Sequence, residues 1–209
     1  MPKKRLYSIQ MNSNLLNFLF ANGWFDQNYL EKLGMRYPTF KAALGLFLQL
    51  GGGNIVETGT LRAKNQWTDG CSTLVFAETL KEYDAGYLWT VDISPDNIAV
   101  AKEVTHHAAD KITYIVDDSL NFLENFDREI NLLYLDSFDW DNIEPLKSQS
   151  QQHQLLEIQA AFPKLKPSSI VLLDDNDLPG GGKAALSKPF LIEQGFTCIL
   201  DYYQSLWIL

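Results

Sequence analysis

Residues 51–60 read GGGNIVETGT, and this stretch decides the fold. Gly51, Gly52 and Gly53 stop a helix, because glycine closes a helical C-terminus at little steric cost. The run Asn54–Glu57 is a short, apolar strand, and Thr58-Gly59-Thr60 leaves it as a loop. Upstream, Phe40 to Leu50 carries apolar residues at helical spacing, inside a helix expected over 27–49 that follows another over 13–21. Downstream the same strand recurs at Leu88–Asp92, Ile112–Val116, Leu132–Asp136 and Ile170–Asp174. Helix-like segments separate these strands, at 72–83, 95–107, 119–125, 151–162 and 183–194; Ser94-Pro95 marks one start, a capping serine before a first-turn proline. Continuous apolar strands alternating with helices predict an α/β protein with a doubly wound, mostly parallel sheet buried on both faces. Phe196–Tyr203 and Leu206–Leu209 are joined only by a short turn around Gln204-Ser205, which forces an antiparallel C-terminal hairpin. Without repeats or linkers, 1–209 is expected to be one domain: a helical cover over 1–49 and a cofactor-binding sheet over 50–209.

The formal net charge is -9. An anionic surface repels phosphate backbones and anionic lipid, so neither a nucleic acid nor a membrane is the expected partner, and a small molecule is. Lys3, Lys4 and Arg5 lead into a stretch too polar for a secretory signal, and no apolar run has the length of a membrane span. Cys71 and Cys198 form neither a disulfide framework nor a metal-ligand spacing, which suits a reducing, cytoplasmic setting. Assembly into a homo-oligomer is left open.

Ligands of such sheets bind beyond the carboxyl ends of the strands, at the point where strand order reverses. Those ends carry acid: Glu57, Asp92, Asp118, Asp136, Asp174 and Asp175. The first loop lacks the G-x-G-x-x-G that brings backbone amides to a pyrophosphate, and Glu57 would repel one. S-adenosylmethionine has no phosphate and carries a sulfonium and an ammonium, so an acid there suits it. Gly59 and Gly70 allow close backbone approach beside Thr58, while Ser72 and Thr73 are expected to cap the next helix. Asp92, followed by Ile93, can accept both ribose hydroxyls, a feature that NAD enzymes share. Asp118-Ser119 is placed to reach the adenine amine.

The runs IVETGT…GCSTLVFAETL, LWTVDIS, ITYIVDDSLNFL, INLLYLDSFDWD and SIVLLDDNDLPGGGKAAL resemble, in order and spacing, the motifs of class I S-adenosylmethionine-dependent methyltransferases. The resemblance covers residues 50 to 209. It implies a Rossmann-like seven-stranded sheet whose last strand is antiparallel, and it adds Asp136 to the cofactor-binding set. The second half looks most like the metal-dependent small-molecule O-methyltransferases. That implies a magnesium ion on Asp136, completed by Asp175 with Asn176 (the catechol type) or by Asp174 with Asp175 (the type acting on sugars). Where the catechol type has a basic lysine this chain has Asp139, which becomes the favoured general base. His153, four residues before Glu157 on one helix face, is the other.

Pro179-Gly180-Gly181-Gly182-Lys183 is not a phosphate loop, since Asp177 and Ala184 stand at its required glycine and serine or threonine. It is expected to be a mobile loop beside the substrate. Trp67 either folds over the ligand or packs on the N-terminal helices; those helices are expected to set acceptor selectivity. The expected function is S-adenosylmethionine-dependent O-methylation of a small polar acceptor, a sugar or a phenol, with magnesium assisting. The rival readings are an NAD-dependent oxidoreductase and a non-catalytic cofactor-binding module.

Overall fold

The computed structural model describes residues 23–69 and 71–209, with nothing of the Asp69 side chain. The helix expected over 13–21, and Gly70, lie outside the described residues. The chain there runs α1 (Trp24–Tyr29), α2 (Tyr37–Gln49), β1 (Gly53–Thr58), α3 (Ser72–Tyr83), β2 (Gly86–Asp92), α4 (Pro95–Val104), β3 (Ile112–Val116) and α5 (Ser119–Asn125). It continues through β4 (Ile130–Leu135), α6 (Leu146–Ala161), β5 (Leu165–Leu173), α7 (Ser187–Glu193), β6 (Thr197–Asp201) and β7 (Ser205–Ile208).

The seven strands form one sheet in the order β3-β2-β1-β4-β5-β7-β6. Every pair from β3 to β5 is parallel, while β7 runs antiparallel between β5 and β6. The doubly wound sheet with its C-terminal hairpin is therefore as expected. Strand order reverses at β1 and β4, whose carboxyl ends lie side by side: the Asp136 amide donates to the Thr58 carbonyl at 3.0 Å.

The helix expected over 27–49 is two helices, because Gly34 turns the chain at φ 52° and a 3₁₀ turn, Gly34–Arg36, intervenes. In α2, Phe40, Ala43, Leu44 and Phe47 are buried at the spacing of one helix face. That face meets Ile55, Phe76, Tyr134 and Leu172, so α2 is part of the sheet's core. Trp67 stacks near Tyr29, with ring centroids 6.1 Å apart, and Lys32 lies over it; it packs on the N-terminal helices.

Candidate active site

The strand ends open onto a cleft with two compartments. The larger, about 590 Å³, is lined after β1 by Gly59, from α3 by Ser72, from β2 by Asp92, after β4 by Asp136 and Asp139, after β5 by Asp175 and Lys183, and by Arg36 and Tyr203. The smaller, about 270 Å³, is lined by Asp118, Ser119, Phe138 and His153. Gly59, Asp92, Ile93 and Ser137 line both, and so form the divide between them.

Asp92 ends β2 with a carboxylate pinned from three sides. It accepts from the Ser94 amide at 2.8 Å, from the Thr60 amide at 3.2 Å and from the Asn97 side chain. Gly59 at φ 81° is needed for packing, since a Cβ there would sit 2.4 Å from the Asp136 carbonyl oxygen. Asp118 is the N-cap of α5, accepting from the Leu120 and Asn121 amides. Ser119 contacts His153 Nε2 at 3.0 Å.

Several expected ligand residues turn away. Glu57 is 0 % exposed and lines neither compartment; its Oε2 accepts from the hydroxyls of Thr73 and Thr90. Burial pushes its carboxyl up to about 7, against those hydrogen bonds. Thr58 and Thr73 are also sealed under the cleft floor. Thr73 and Ser72 do not cap α3, which begins behind Cys71 in a left-handed conformation; Thr73 instead ties Leu61 to Glu57. Both proposed bases line the cleft, but in different compartments. Asp139, with a side chain 79 % exposed, is held by Arg62 at 2.8 Å. His153 lies on the far side of the divide, 3.5 Å from Glu157. Burial disfavours the imidazolium, but Glu157 outweighs that and raises the His153 pKa above its ordinary value.

The carboxylates assigned to magnesium are occupied by the chain's own cations. Lys183 Nζ lies 2.7 Å from Asp136 Oδ1 and 2.9 Å from Asp175 Oδ2. Arg36 Nε lies 2.8 Å from Asp174 Oδ2, which also accepts from Tyr134. Asp174 is fully buried and lines neither compartment. Asn176 faces the β6–β7 hairpin, where its amide donates to Asp201 and to the Tyr202 carbonyl. Asp136 and Asp175 do converge, on Lys183 Nζ, while Asp174 and Asn176 are engaged elsewhere, and among the described residues no three His, Cys, Asp or Glu side chains are grouped to hold a metal ion. The donor set does not fit magnesium, because Asp136 and Asp175 already share an ammonium. That ammonium is firmly charged: burial opposes it, but the two carboxylates raise the Lys183 pKa above its ordinary value. Burial alone would raise Asp175, but Lys183 and the Tyr203 hydroxyl hold it below the usual carboxylate range.

Sequence reading missed Arg36, Tyr203 and Lys183. Only Lys183 left a signal, behind three glycines. Its loop, expected to be mobile beside the substrate, borders the cleft and is tied back by hydrogen bonds. The Gly181 and Gly182 amides both donate to the Leu178 carbonyl, the Lys183 amide donates to Asp175, and Gln151 on α6 donates to the carbonyl of Gly182 at 2.9 Å.

A family model described as a methyltransferase domain matches residues 67–176. No curated protein matches the chain. Among solved structures, the SAH-bound methyltransferase PaMTH1 of Podospora anserina is similar at 16% identity and TM-score 0.59, over 95% of this chain and 88% of that one. The O-methyltransferase NovP is similar at 14% identity and TM-score 0.58, over 83% and 79% of the two chains. A methyltransferase from Geobacter sulfurreducens covers 95% and 96% at 14% identity and TM-score 0.57. At such identities these likenesses concern the fold.

Proposed function

Because the chain belongs to the methyltransferase-domain family, the class I enzymes that use S-adenosylmethionine, we propose that it methylates a hydroxyl oxygen of a small polar acceptor, a sugar or a phenol. The observation that carries this reading is the divided cleft, whose two compartments differ in chemistry and meet at Asp92 and Gly59. In this reading the smaller compartment takes the adenosine. Asp92 accepts the ribose hydroxyls, Asp118 and Ser119 face the adenine amine, and Ile93 and Phe138 flank the base. Its neighbour His153 then serves the nucleoside rather than the acceptor. Gly59 and Ser72 line the way to the amino-acid end, and Glu57 acts from below by holding the loop through Thr73.

The larger compartment takes the acceptor. It presents charges of both signs, from Arg36, Arg62, Lys183, Asp136, Asp139 and Asp175, which suits an acceptor rich in hydroxyls. Asp139, oriented by Arg62, is the proton acceptor. S-adenosylmethionine supplies a methyl group already activated by its sulfonium, so the protein's tasks are positioning and deprotonation. The net charge of -9 favours small acceptors over RNA.

Calorimetry with S-adenosylhomocysteine and NAD, followed by a labelled-methyl assay over sugars, phenols and RNA, tests the reading. Binding of S-adenosylhomocysteine with methylation of a sugar or phenol is expected. Binding of NAD alone overturns the cofactor, and transfer only to RNA overturns the acceptor.

A further inference from the structure

The reading above counts Lys183 only among the charges of the acceptor compartment and gives it no specific role. Its side chain is 4 % exposed, and that remainder borders the acceptor compartment. An ammonium has three N–H donors. Two are directed at Asp136 and Asp175, on the loops that leave β4 and β5. The backbone is shaped to bring it there. Gly182 at φ 56° lets the chain fold back on Asp175, where any Cβ would stand 1.8 Å from that residue's carbonyl oxygen. Such tying is what holds a charge in place before a substrate arrives.

Resting on the methyltransferase reading, we propose that Lys183 is the acceptor-binding cation of this enzyme and takes the place of a divalent metal. Its third N–H donates to the acceptor hydroxyl oxygen, a charge-assisted bond that fixes the oxygen and favours its deprotonation. The hydroxyl proton passes to the Asp139 carboxylate as the oxygen lone pair forms the new C–O bond. The C–S bonding pair returns to sulfur, which leaves as a neutral thioether. Asp136 and Asp175 hold the ammonium, and Arg36 and Tyr203 brace Asp175 behind it: Tyr203 donates to Asp175 and lies under the Arg36 guanidinium at 4.7 Å. A divalent ion would have to displace Lys183 to reach these carboxylates, so turnover is metal-independent.

The test compares wild type with Lys183→Ala, in EDTA and with added Mg2+ or Mn2+. Wild type is expected to keep full activity in EDTA and to show no saturable heat on titration with Mg2+. Lys183→Ala is expected to lose about 100-fold in kcat/KM in EDTA, to bind S-adenosylhomocysteine as before, and to regain part of its activity with a divalent cation. A merely structural lysine gives no such rescue. Loss of wild-type activity in EDTA, or a Lys183→Ala enzyme with unchanged kcat/KM, overturns the proposal. Where Lys183→Ala fails to fold, the wild-type measurements still test the metal independence that the proposal requires, and loss of activity in EDTA overturns it. Failure of wild type to bind S-adenosylhomocysteine strikes the methyltransferase reading instead, and is thereby distinguished.

Discussion

Arg36 and Asp174 meet at 2.8 Å across 138 positions of sequence, joining the segment before the sheet to the carboxyl end of β5. The pair is nearly dry, with the arginine side chain 10 % exposed and the aspartate 0 %. Arg36→Ala leaves a buried carboxylate uncompensated, and removal of one partner of such a pair costs about 3–5 kcal/mol. Urea denaturation measures it. A loss below about 1 kcal/mol would mean that Asp174 is effectively solvated.

Asp92 gives a prediction on binding. Its carboxylate is held by the backbone amides of Thr60 and Ser94 and is assigned to the ribose. Asp92→Ala is expected to weaken S-adenosylhomocysteine by tenfold or more, since hydrogen bonds to charged groups contribute about 1.5–3 kcal/mol. Calorimetry reads this directly, and an unchanged Kd removes Asp92 from the cofactor site.

Two glycines of positive φ differ in what a side chain would meet, and Gly182, with ψ -154°, also lies close to a region that only glycine adopts readily. At Gly34 a Cβ meets nothing within 4 Å, while at Gly182 it strikes the Asp175 carbonyl. Gly34→Ala is expected to cost about 1 kcal/mol, the price of a left-handed residue alone. Gly182→Ala is expected to cost several times more and to impair turnover by shifting Lys183. Equal losses in thermal denaturation and equal activities in the two variants refute the loop's role.

Glu57 makes stability depend on pH. Its folded pKa, pushed up by burial to about 7, lies above its ordinary 4.5. Burial therefore favours the protonated form. The associated stability is complete below the ordinary value and is lost as pH rises through about 7. The change amounts to about 3 kcal/mol between pH 4 and pH 8. Glu57→Gln cannot titrate, so its stability relative to wild type should improve by that order over the same range. Denaturation at the two pH values checks it; a difference independent of pH shows that Glu57 stays ionised.

Much of the cleft was legible because strand-end chemistry is local. Asp92 ends its strand and Asp118 and Asp136 follow theirs within two residues, so finding the strands places the carboxylates near the same sheet edge. Glu57 shows where that inference stops. It is the penultimate residue of β1, paired in register with Thr90, and lies beneath the cleft floor. The strand is still covered at its last two residues, Glu57 and Thr58, and the cleft opens only at Gly59, a boundary set by the packing of the neighbouring elements. Asn176 was misassigned for another reason. The turn at Asp175, which has φ 51°, sends it toward the hairpin, and no period in the sequence encodes that.

By itself the sequence determined the order of strands and helices, the parallel core and the antiparallel close. These follow from the spacing of apolar residues and the length of connections, both written along the chain. Only the tertiary structure decided which charges face one another. Arg36, Lys183 and Tyr203 reach the carboxylates across 138, 47 and 28 positions. A row of acids in sequence looks like a metal site until the cations that neutralise it are placed. Coulomb interactions act through space, over a few ångströms, and separation along the chain does not report them.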